Sequence, residues 1–100
     1  KIMRKIETDM LLAIKERRNW SKANTGVFME TAGNPHGPRA EVYLHGQHIA
    51  DFWYNHDELD VNEHTLSRYP TTTTKSRLRA LGADAYTRKG VTYLGDKAVA

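Results

Sequence analysis

Glycine punctuates this chain where hairpins would need it. His45-Gly46-Gln47, Lys89-Gly90 and Gly95-Asp96 each separate runs in which apolar and polar residues alternate. A period-two run on either side of a short glycine turn is the pattern of antiparallel strands, because glycine supplies the positive φ that a tight hairpin turn requires. "AEVYLHGQHIADFWY" therefore reads as one hairpin, and "ADAYTRKGVTYLGDKAVA" as strand, turn, strand, turn and a last short strand. The simple alternation places Val42, Leu44, Ile49 and Trp53 on one face of the first hairpin, with Tyr43 and Phe52 on the other. "TGVFMET" reads as an earlier strand centred on 27–30. It is separated from the hairpin by "AGNPHGPR", whose glycines, prolines and asparagine make a loop. "VYLHGQHIA" and "TYLGDKAVA" echo one another, which shared turn chemistry explains without a repeat architecture.

Helices frame these strands. In "KIMRKIETDMLLAIKERR", Ile2, Ile6, Met10, Ala13 and Ile14 recur at helical spacing, with Glu7 assigned to the polar side. Trp20 is expected to fold back over the end of this helix. "NHDELDVNEH" is acidic and expected to be exposed, although Leu59 and Val61 have the alternation of a short strand. A helical turn or two capped by Asn62 would follow, ended by Pro70. A second helix then runs from about Thr73 to Leu81, with Thr74, Leu78 and Leu81 inward and Gly82 as its left-handed cap. The fold class is α+β: an N-terminal helix and a short basic helix on one face of an antiparallel sheet of five or six strands, winged-helix-like in its C-terminal half. Trp53, Leu44, Ile49, Ile6, Met10, Leu78 and Leu81 are the expected core. One hundred residues make one domain, 1–100.

Charge is unevenly distributed. Residues 1–22 carry a net +4, residues 23–67 a net −6 and residues 68–100 a net +5. The basic C-terminal third contains "YPTTTTKSRLRALG", in which four threonines precede Lys75, Arg77 and Arg79. Threonine suits a helix start, where its hydroxyl accepts a free N–H, and one cap needs only one threonine. Hydroxyls and free N–H groups at a helix N-terminus also seat phosphate. Lys75, Ser76 and Arg79 point away from the apolar stripe. Arg77 flanks it, with its stem available for packing and its head free to reach out. The order of short helix, basic helix and hairpin with Arg88-Lys89 at its tip is that of a winged helix-turn-helix.

Two readings stand together. In the first, Thr72, Thr73, Lys75, Ser76, Arg77, Arg79, Arg88 and Lys89 contact nucleic acid. In the second, the helix is a capped structural element. The contact surface is then for a partner protein, made of Tyr43, Phe52 and Tyr54 or of the acidic stretch with Asp57, Glu58, Asp60 and Glu63.

Other classes have weaker support. The chain has no cysteine, which removes disulfides, thiolate metal sites and cysteine nucleophiles. His36, His45, His48 and His56 are irregularly spaced on loops and turns, so no metal is expected. No catalytic residues and no cofactor are expected either, because no nucleophile is spaced with a base and no glycine-rich phosphate loop is present. No run approaches the roughly 18 apolar residues of a membrane span. With no leading signal segment, the default expectation is cytoplasmic. The oligomeric state is open, a homodimer included.

"NTGV", "YLHGQHIA" and "YPTTTTKSRLRALGADAYTRKGVTYLGDKAV" together resemble a group of small tailed-bacteriophage proteins. Their pattern is an "LHG…IA" hairpin, a "TTKSRLNALG"-like helix and a "YL-G" hairpin. The matching residues are Leu44, His45, Gly46, Ile49 and Ala50, then Thr73 to Gly82, then Tyr93, Leu94 and Gly95. Arg79 stands where the pattern often has asparagine, which makes this helix more basic than the pattern requires. The resemblance covers most of residues 24–99. It implies a phage origin and action inside a bacterial host, and it brings no activity.

Overall fold

The computed structural model of the protein describes residues 3–31 and 33–100. Ile2 of the expected helical stripe and Ala32 of the expected loop lie outside the described residues. Helix α1 (Lys5–Lys15) leads into strands β1 (Trp20–Lys22), β2 (Thr25–Glu30), β3 (Arg39–Leu44), β4 (Gln47–Trp53) and β5 (Glu58–Val61). These pair in chain order as a five-stranded antiparallel sheet. Helices α2 (Glu63–Arg68) and α3 (Thr72–Leu81) follow. Strands β6 (Ala85–Arg88), β7 (Val91–Leu94) and β8 (Lys97–Ala98) then form a separate three-stranded sheet.

The α+β class is as expected, but the strands divide between two sheets. The division follows from the helices placed between β5 and β6. Gly82, at φ 109°, ends α3 in a left-handed cap, and the returning chain packs β6 against α3 instead of extending the first sheet. Two turns sit where the sequence indicates. His45 (φ 52°) and Gly46 (φ 76°) both take the left-handed conformation of a two-residue hairpin turn, and Lys89 (φ 51°) with Gly90 (φ 78°) repeats it.

The hairpin faces require a correction. Val42 pairs with Ala50 and Tyr43 with His48, so Ile49 is an extra residue, a β-bulge in β4. Ile49 and Ala50 are therefore both buried, and the alternation beyond them is inverted. Phe52, opposite Ala40, faces the core, while Trp53, opposite Arg39, faces away from it. Trp53 thus leaves the expected core.

The inner face of the larger sheet carries Val27, Ala40, Val42, Leu44, Ile49 and Ala50. Met10, Ala13 and Ile14 of α1, Leu66 of α2 and Leu78 of α3 pack onto it. Leu81 is half-buried against this cluster and Ile6 is half-buried. Trp20 opens β1 opposite Val27 and is half-buried against the cluster that includes Ile14 of α1. Tyr54 lies at the helix end, where its hydroxyl donates to the Ile14 carbonyl at 2.5 Å beneath the Arg17 guanidinium.

Candidate interaction surface

The threonine run resolves into separate local roles. Thr71 is the N-cap of α3. Its Oγ1 accepts the Thr74 N–H at 3.1 Å and lies 2.9 Å from the Thr74 hydroxyl. The helix therefore starts at Thr72, one residue earlier than expected. Thr72 is exposed, Thr73 half-buried and Thr74 buried.

The basic residues of α3 are engaged within the protein. Arg77 is 3 % exposed, so its head does not reach out as the sequence suggests. Nη1 donates to Glu7 Oε2 at 2.7 Å, Nε to Thr25 Oγ1 at 3.0 Å and Nη2 to Asn24 Oδ1 at 3.3 Å. Ser76 Oγ donates to the same Glu7 oxygen at 2.6 Å. Arg79 Nη1 donates to the Ala85 carbonyl at 2.8 Å, and Lys75 Nζ donates to Thr87 Oγ1. Arg88 and Lys89 are exposed at the β6–β7 tip. The cations of α3 thus bind α1, β2 and β6 together, whereas the two at the hairpin tip are exposed.

Glu7 was assigned to the polar side, yet it is 3 % exposed. A signal was present: Glu7 lies three residues before Met10 and seven before Ile14, on their stripe. What the helical pattern lacks is the partner, 70 residues away. Burial pushes the Glu7 carboxyl up. The hydrogen bonds from Ser76 and Arg77 and the guanidinium charge outweigh this and hold it below the usual carboxylate range.

The opposite face of the larger sheet is different in character. The helices pack on the inner face, and the register puts Phe28, Arg39, Glu41, Tyr43, His48, Asp51, Trp53, Glu58 and Asp60 together on the outer one. Phe28 is 44 % exposed and meets the Tyr43 ring edge-on at 5.5 Å. Gly26 makes room for it: a Cβ there would lie 3.0 Å from the Phe28 ring. Tyr43 stacks on His48 at 5.1 Å, and His48 Nε2 lies 2.7 Å from Asp51 Oδ1. Arg39 covers Trp53 at 5.1 Å, donates to Glu41 at 2.7 Å and stands 3.5 Å from Asp51. Burial and the Glu41 carboxylate push the Tyr43 phenol up, so it remains a donor to Glu41 at 3.2 Å.

This face unites part of the expected protein contact. Tyr43, Glu58 and Asp60 lie on it. Phe52 and Tyr54 do not, because the bulge turns Phe52 inward and Tyr54 is bonded to Ile14. Asp57 is in the β4–β5 turn, and Glu63 opens α2 with an ion pair to Lys97 at 2.7 Å. Phe28, Arg39, Glu41, Asp51 and Trp53 were missed as face residues. The alternation of β2 and β3 marks the first three; the bulge conceals the other two.

A family model described as "Kyanoviridae Gp96 protein" matches residues 3–99. The chain belongs to this family. It is a bacteriophage protein, and the description names no activity. No curated protein and no solved structure matched the chain. Among the described residues of this phage protein, no three His, Asp or Glu side chains converge on a possible metal position. His36 and His56 instead gather near Trp53, with His36 6.0 Å from the Trp53 ring and 6.3 Å from His56. No helix among the described residues is long and apolar enough to cross a membrane.

Proposed function

We propose that this phage protein is a non-catalytic interaction protein that binds a protein of the bacterial host, in the host cytoplasm, through the outer face of its larger sheet. One observation carries the reading. The open face presents Phe28, Tyr43 and Trp53 among the carboxylates of Glu41, Asp51, Glu58 and Asp60, with Arg39 as the intervening cation. Aromatic side chains supply binding area at low entropic cost, and the surrounding charge selects the partner. The same carboxylates repel phosphate. The helix on which a nucleic-acid interface would depend has Arg77 buried in an ion pair and Lys75 and Arg79 bonded within the protein.

The test has two arms. Immobilised protein is exposed to nuclease-treated host lysate, and Phe28→Ser, at an exposed position, is expected to lose what wild type retains. In gel-shift titration at low salt, duplex and single-stranded DNA are expected not to bind. Binding that falls steeply with salt and is lost on replacing Arg88 and Lys89 would replace this reading with the nucleic-acid one.

A further inference from the structure

Strand β5 is an edge of the five-stranded sheet. The Asn62 N–H donates to the Ile49 carbonyl at 2.9 Å, and the register continues with Asp60 opposite Asp51 and Glu58 opposite Trp53. Hydrogen-bonded pairs alternate along an antiparallel ladder. The main-chain groups of Asp60 and Glu58 therefore turn toward β4, and those of Leu59 and Val61 turn outward. No turn or loop of the described residues hydrogen-bonds to these outward groups.

An unpaired edge invites another strand, and proteins commonly block it with proline, lysine or a covering element. β5 has neither proline nor lysine. It has Glu58 and Asp60, both exposed and, among the described residues, without a cationic partner. Asp60 stands directly across the ladder from Asp51; Asp51 is bonded to His48 and lies 3.5 Å from Arg39, and Asp60 has neither partner. Like charges placed opposite one another destabilise a sheet, so this arrangement favours an incoming cation. Beside the edge, a cleft of about 350 Å³ is lined by His48, Asp51, Asp60, Val61, Asn62 and Glu63, with room for a long side chain.

We infer that the β5 edge receives an extended segment of the partner protein, bearing lysine or arginine at alternate positions, as a sixth strand. The inference rests on the interaction reading above and specifies the partner's chemistry. The segment's main chain pairs with Leu59 and Val61. Its alternate cations meet Glu58 and Asp60 on the outer face, and one enters the cleft. A second copy of this chain is disfavoured, because two β5 edges would bring their carboxylates together. A nucleic-acid strand offers phosphate to the same carboxylates.

The test uses the full chain and a capped peptide of alternating lysine and valine, with a glutamate–valine peptide as the counterpart. Amide hydrogen exchange is followed residue by residue. With free lysine–valine peptide at about ten times its Kd, exchange at Leu59 and Val61 is expected to slow about tenfold. The glutamate–valine peptide should have no effect. Glu58→Gln with Asp60→Asn should weaken binding about three- to tenfold. Glu58→Lys with Asp60→Lys should exchange the preference between the two peptides. Unchanged exchange at Leu59 and Val61, or binding indifferent to charge reversal, overturns the inference. Lysate capture separates the two levels. Capture lost in Phe28→Ser but kept in the charge-reversed variant overturns the edge and leaves the face reading standing; capture unaffected by either overturns both.

Discussion

Replacing Arg77 by methionine distinguishes a structural helix from a ligand-facing one. Methionine keeps much of the stem's packing and removes the guanidinium. Glu7 then retains the Ser76 hydroxyl but loses the cation at 2.7 Å, in a site where both side chains are 4 % exposed. Two outcomes are open to the stranded carboxyl. Remaining ionised costs several kcal/mol, since breaking a buried pair by removing one partner costs about 3–5 kcal/mol. Taking a proton at pH 7, from an unfolded-state pKa of about 4.3, costs about 3.7 kcal/mol. The cheaper route sets the result, so Arg77→Met is expected to destabilise by about 3–4 kcal/mol at pH 7. At pH 5 the protonation route costs only about 1 kcal/mol, and the deficit should shrink accordingly. The sign is opposite in the wild type. Its Glu7 pKa lies below the unfolded value, so its contribution is present above about pH 4.3 and is lost as pH falls through the folded pKa. Urea titrations of both proteins at pH 7 and pH 5, followed by tryptophan fluorescence, measure the difference through the midpoint at unchanged slope. A loss below about 1 kcal/mol, or one that does not depend on pH, would refute the buried-pair argument and return Arg77 to the candidate ligand contacts.

Other expectations follow from local geometry. Gly46→Val should lower stability by about 1–3 kcal/mol through backbone strain alone, since φ is 76° and a Cβ would meet nothing within 4 Å; an unchanged melting midpoint would contradict this. Thr71→Ala should cost about 1 kcal/mol in chemical denaturation, as the loss of a helix cap, and more than Thr73→Ala. Prolonged EDTA treatment should leave the melting temperature unchanged, and a fall restored by zinc would direct attention to His36 and His56.

What could be read from the sequence was local in origin. The turns at His45-Gly46 and Lys89-Gly90 follow from the φ that glycine permits, and Asn62 and Gly82 mark helix ends because their side chain, or lack of one, meets needs within a few residues. Met10, Leu44, Ile49 and Leu78 were legible as core because periodicity places them there. The open face was only partly legible. Strict alternation recovers Tyr43 but assigns Phe52 and Trp53 to the wrong sides, since one inserted residue at Ile49 inverts everything after it, and nothing local announces a bulge. The division into two sheets depended on where β6 found a surface to pack against, which is a competition between α3 and a distant strand edge. The identity of Arg77 also required the folded chain. As a residue on a basic helix it has a free charge. Only the packing of α1 against α3 brings Glu7 to it, and at that buried site water screens their attraction far less than at the surface. Sequence determines what each segment prefers within a few residues; the tertiary structure decides which charges remain to face a partner, because burial and pairing depend on groups far away along the chain.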